Sequence, residues 1–118
     1  MTLDLHGAVA LVTGAATPAG AATARELARL GATVAILDSD RAALDDLAAA
    51  LESAGGHVLP VAADLTDPDS ARTAVGWVVS RCERLDIVVI VGTADPTASV
   101  SRAALHYLQM VASFDRVA

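Results

Sequence analysis

Short runs of consecutive apolar residues alternate along this chain with longer stretches in which apolar positions recur every three or four residues. The runs "AVALVT" (8–13), "TVAIL" (33–37), "HVLPVAA" (57–63) and "DIVVIVG" (86–92) have the length of strands and the valine content of strands covered on both faces. Pro60 within the third run fits an edge position, because proline offers no ladder donor. The stretches between the runs read as helices. The first extends from about Pro18 to Leu30 and is closed by Gly31. In the second, Ser39 or Asp40 serves as cap, Leu44, Leu47 and Leu51 share one face, Asp45 and Asp46 face water, and Gly55 and Gly56 end the helix. Asp67 caps the third and Pro68 takes its first position, ahead of a stripe of Ala71, Val75, Val78 and Cys82. A last helix is predicted from about Ser99 to Arg116, with Ala104, Leu108 and Val111 on one face.

Strand and helix in regular alternation imply a parallel sheet, since each right-handed crossover lays its helix on the sheet. The expectation is an α/β chain of three layers, a doubly wound parallel sheet of about four strands in the order 3-2-1-4. At 118 residues the chain suffices for one core, so residues 1–118 are read as a single domain. Its fourth strand would stand at an edge, where an apolar strand invites pairing. A homo-oligomer or a heteromer, burying this edge or the last helix, is therefore expected.

Charge and cysteine content narrow the partners. The net charge is −6 and all eight basic residues are arginines, scattered along the chain, which argues against a nucleic-acid partner. No lysine occurs anywhere. The lone Cys82 cannot form an internal disulfide, and its place on an apolar stripe makes it an inert thiol. No basic segment precedes an apolar stretch near Met1, and the longest apolar run, Ile87 to Val91, is too short to span a bilayer. A soluble cytoplasmic protein with no membrane partner is expected. His6, His57 and His106 are far apart and lack a metal-ligand spacing.

The candidate chemistry lies in "VTGAATPAGAATA" (12–24), where the first strand turns into the first helix. Gly14 permits the turn, Gly20 lets the helix approach the sheet, and the helix N-terminus offers N–H groups to a pyrophosphate. Asp38 ends the second strand, 18 residues beyond Gly20. A carboxylate there accepts from ribose hydroxyls and repels a 2′-phosphate, which favours NAD over NADP. Helix capping within "DSD" is the structural alternative for Asp38.

This loop, together with Asp38, "AADLTD" and "LDIVVIVGTA", resembles the short-chain dehydrogenases/reductases, and covers the N-terminal half of a usual member. The resemblance implies a Rossmann-type fold and an NAD(P)-binding oxidoreductase that moves a hydride between an alcohol and a carbonyl. It places the cofactor on Thr13, Gly14, Ala16, Thr17 and Gly20 of the loop, on Asp38, on Asp64 and Leu65 after the third strand, and on Gly92 after the fourth. Two departures weaken the match. Pro18 stands for the middle glycine of the family's Thr-Gly-x-x-x-Gly-x-Gly loop, removing an N–H and filling space a pyrophosphate would use, so weaker cofactor binding is expected. Ile90, Val91, Gly92 and Thr93 replace the family's Asn-Asn-Ala-Gly.

The family's catalytic serine, tyrosine and lysine are not found in this pattern. Tyr107 is the single tyrosine, Val111 rather than lysine stands four positions later, and Ser101 is six residues upstream on the same predicted helix. No residue is therefore assigned as catalytic, and the isolated chain is expected to be inactive. In a heteromer its partner would be a catalytic chain that supplies the missing half. The alternative reading is a degenerate Rossmann module that serves as a scaffold or partner subunit.

Overall fold

The structure, a computed structural model, describes residues 4–64 and 66–91. Over these residues β1 (Val9–Thr13), α1 (Pro18–Arg29), β2 (Thr33–Asp38), α2 (Arg41–Ser53), β3 (His57–Ala62), α3 (Pro68–Cys82) and β4 (Ile87–Ile90) follow one another. The sheet is parallel with the order β3-β2-β1-β4, as the sequence pattern predicts. The predicted helix at 99–116 lies outside the described residues.

The two central strands show why their sequences are continuous apolar runs. Side chains alternate across a strand, so Ala10, Val12, Val34 and Ile36 meet Ala24 of α1 and Leu44, Leu47 and Leu51 of α2 on one face. Val9, Leu11, Ala35 and Leu37 meet Ala74, Val75 and Val78 of α3, with Leu85, on the other. Full burial of each such leucine, valine or isoleucine is worth about 1.5–3 kcal/mol. The chain therefore changes faces between β3 and β4. Its crossovers leave β1 in opposite directions, which opens a crevice at the carboxyl ends of β1 and β4, where ligands of such sheets bind.

The edges differ from the centre. Ala63 N–H donates to the Asp38 carbonyl, so odd-numbered residues of β3 turn their main-chain groups toward β2 and Pro60 lies on the outer side. Its missing donor costs no ladder bond there. All four residues of β4 are half-buried, in contrast to the fully buried β1. Asp40, rather than Ser39, caps α2, its Oδ1 accepting from Ala43 N–H at 3.1 Å. Asp67 caps α3 ahead of Pro68. Cys82 ends the α3 stripe half-buried, and that burial pushes its thiol above the usual range, away from reactivity. Among the described residues no helix is long and apolar enough to cross a membrane.

Candidate dinucleotide site

The β1–α1 connection is compact because two glycines allow it. Gly14 adopts φ +64, and a Cβ there would come within 2.6 Å of the Val91 carbonyl oxygen. At Gly20 a Cβ would fall 2.0 Å from the Gly14 carbonyl oxygen, a clash with backbone that no rotamer relieves. The first turn of α1 thus rests directly on the end of β1, which is the close helix–strand approach a dinucleotide loop needs.

Polar groups fix the shape of the loop. Thr17 is the N-cap of α1: its Oγ1 accepts from Gly20 N–H at 3.1 Å and donates to the Gly14 carbonyl at 2.7 Å. Ala15 N–H donates to the Leu37 carbonyl at 3.2 Å, carrying the β1–β2 contact two residues beyond the strand. Ala16 N–H donates to Asp38 Oδ2 at 3.0 Å, and Asp38 Oδ1 accepts from Asp40 N–H at 3.0 Å. Thr13 is buried, and its Oγ1 accepts from Val91 N–H at 3.2 Å, holding the end of β4 to β1. Its contribution is to position the strands that frame the crevice.

At the helix end, Pro18 is exposed at the first helical position and has no N–H, while Gly20 N–H is taken by Thr17. Ala21 N–H makes the first intrahelical bond, to the Thr17 carbonyl. Ala19 therefore keeps the first-turn N–H for an anion, supported by the positive end of the helix dipole. Each Asp38 oxygen accepts one main-chain N–H and retains a second lone pair, as two ribose hydroxyls require. This donor set fits the diphosphate and ribose of a dinucleotide with fewer donors than a glycine at position 18 would give.

The remaining residues singled out from sequence are distributed as follows. Asp64 is exposed after β3, its Oδ1 accepting from Thr66 N–H and Oγ1, and these bonds hold its carboxyl below the usual carboxylate range. Leu65, Gly92, Ser101, His106 and Tyr107 lie outside the described residues. His6 bonds Asp4, His57 begins the β3 edge strand, and no group of three metal-ligating side chains comes together among the described residues. A groove of about 510 Å³ between β3 and α3, lined by Arg41, Ala63, Asp67 and Trp77 among others, contains no residue of the β1–α1 loop. Two features of the site had no signal in the sequence: the Asp38–Ala16 bond, which joins positions 22 residues apart, and the Thr13–Val91 bond, which spans 78.

Comparison with known proteins agrees with this geometry. The family described as short chain dehydrogenase matches residues 8–114. The chain is 44% identical over 105 residues to the cis-4-hydroxycyclohexanecarboxylate dehydrogenase of Sinomonas cyclohexanicum, covering 88% of this chain and 40% of that protein. Among solved structures, a putative short-chain dehydrogenase/reductase from Burkholderia xenovorans is 41% identical, with a TM-score of 0.72 over 78% of this chain and 39% of its own. A metagenomic short-chain oxidoreductase in complex with NADP is 30% identical, with a TM-score of 0.82 over 96% of this chain and 58% of its own. The chain thus spans less than two thirds of each of these relatives.

Proposed function

We propose, since this chain belongs to the short-chain dehydrogenase/reductase family, that it forms the dinucleotide-binding part of an oxidoreductase acting on an alcohol/carbonyl pair. The observation that carries this reading is the β1–α1 loop, with the Gly20–Gly14 approach on one side and the Asp38 carboxylate on the other. NAD is the favoured cofactor. A 2′-phosphate beside Asp38 would place two like charges within a few ångströms, at a cost that hydrogen bonding to the loop cannot offset. A solved relative holds NADP, so the NAD preference rests on Asp38 of this chain and not on the fold.

In the family this chain resembles, hydride transfer uses a tyrosine as acid/base whose pKa is lowered by a lysine. With no lysine in the sequence, the 118 residues cannot supply the family's tyrosine–lysine pair. Turnover therefore requires a tyrosine–lysine pair from outside these residues, which a second copy of the same sequence does not carry. A cytoplasmic setting suits the single cysteine. Pro18, exposed where a donor glycine would stand, favours one further reading, a scaffold or partner subunit that has lost its cofactor.

Titration of the purified chain with NADH and with NADPH, followed by nicotinamide fluorescence, separates the two readings. Saturable binding that prefers NADH, tightened by Pro18→Gly, is expected. No binding at millimolar cofactor would overturn the cofactor reading and leave the scaffold. Unchanged affinity in Pro18→Gly would overturn the obstruction ascribed to Pro18.

A further inference from the structure

We infer that Asp38 is the latch of the diphosphate loop as well as the reader of the ribose, so that selection against a 2′-phosphate acts through the order of the loop. This rests on the cofactor reading above, but the latch is a property of the chain without cofactor. Two consecutive loop amides are anchored to the end of β2: Ala15 N–H by the Leu37 carbonyl at 3.2 Å and Ala16 N–H by Asp38 Oδ2 at 3.0 Å. The second bond is made to a charged acceptor and is the stronger kind. On the other side the carboxylate is held by Asp40 N–H at 3.0 Å, and Asp40 itself caps α2 through Ala43 N–H. The carboxylate is therefore fixed from both sides, half-buried between the loop and the α2 cap.

The consequence follows from charge. A carboxylate that only reads ribose can turn away from an arriving 2′-phosphate at little cost, and selectivity is then set by repulsion alone. Here turning away breaks the Ala16 bond and releases the loop that presents the Ala19 N–H to the diphosphate. Pro18 has already removed one donor from that loop, so its remaining order matters more. Asp38 thus acts as a positioning residue for the diphosphate and a specificity residue for the ribose.

Two variants separate latch from charge. Asp38→Asn removes the repelling charge and keeps an oxygen for Ala16 N–H, whereas Asp38→Ala removes both. Amide hydrogen exchange of the cofactor-free chain reads the latch directly, with the Ala43 amide as the local control. Exchange at Ala16 is expected to speed up about tenfold or more in Asp38→Ala, the loss of one charge-assisted bond, and by clearly less in Asp38→Asn, whose neutral amide oxygen keeps a weaker bond. NADPH is expected to bind the Asn variant more tightly than the wild type and the Ala variant less tightly than the Asn variant. Wild-type exchange at Ala16 in Asp38→Ala, or equal NADPH affinity in the two variants, would overturn the latch. If the wild type binds neither dinucleotide, the cofactor reading fails and the exchange result alone still decides whether Asp38 holds the loop.

Discussion

Glu83 shows how a single residue can be held against its own preference. It ends α3 at φ 63, the left-handed region, where its N–H donates to the Val79 carbonyl. A residue with a Cβ is disfavoured there by about 1–2 kcal/mol, which is why glycine is the usual choice at such helix ends. Glycine also gives the unfolded chain more freedom, at a cost of about 0.5–1 kcal/mol, so relief of the strain wins by a small margin. Glu83→Gly is expected to stabilise the fold by about 0.5–1 kcal/mol and raise the thermal midpoint by a few degrees. Glu83→Ala keeps the Cβ and should give no such gain. Equal midpoints for the two variants in a thermal melt would show that the left-handed conformation carries no strain. The same logic, more severe, explains Gly20: a Cβ there meets the backbone of Gly14 rather than a movable side chain, so no neighbour can yield.

At the scale of elements, β4 is held to β1 at both of its ends by polar groups. Thr13 Oγ1 takes Val91 N–H at one end, and at the other Asp86 Oδ2 takes Val9 N–H at 2.8 Å while its two oxygens accept from Arg84 Nε and Nη2 at 2.8 and 2.6 Å. The Arg84 guanidinium first, and the Val9 amide after it, hold the Asp86 carboxyl below the usual carboxylate range. A carboxyl lowered in the folded state contributes stability that is present above its unfolded value of about 3.9 and is lost as pH falls through the folded value. Asp86→Asn is therefore expected to lower the thermal midpoint at pH 7 and to flatten the acid limb of the stability profile below about pH 4. Parallel acid limbs for wild type and variant would exclude Asp86 as a contributor. The elements themselves were legible in the sequence, because order and faces follow from apolar runs, and because Asp67, Pro68 and the leucines at 44, 47 and 51 carry local signals. In the sequence Asp86 is merely the first residue of a strand, and Glu83 carries no signal. Neither side chain announces a contact made 77 residues away or a φ imposed by packing. In the site, Gly14, Gly20 and Asp38 were legible as residues, but the bond that joins Asp38 to Ala16 depends on the β1–β2 register, which exists only in the folded sheet.

At the scale of the whole molecule, the sheet formed by the described residues has two unlike edges. On the β3 side, Pro60 occupies an outward position, so a strand arriving there finds a donor missing and pairing is discouraged. On the β4 side, Ile87, Val88, Val89 and Ile90 are half-buried and none is a proline, so the main chain offers an uninterrupted row of groups. Family relatives extend well beyond the matched region, this chain spanning 40% of the Sinomonas dehydrogenase and 58% of the NADP-bound oxidoreductase. If copies of the chain pair, these contrasts favour the β4 edge, where no proline interrupts the row of main-chain groups. At micromolar concentration, light scattering is expected to give a dimer or larger species, and hydrogen exchange of the β4 amides should slow as concentration rises while β3 exchange stays constant. Copies pairing through β4 would bury donors that β3, blocked by Pro60, leaves open in every state. A monodisperse monomer whose β4 amides exchange at one rate across the concentration series would overturn pairing through this edge.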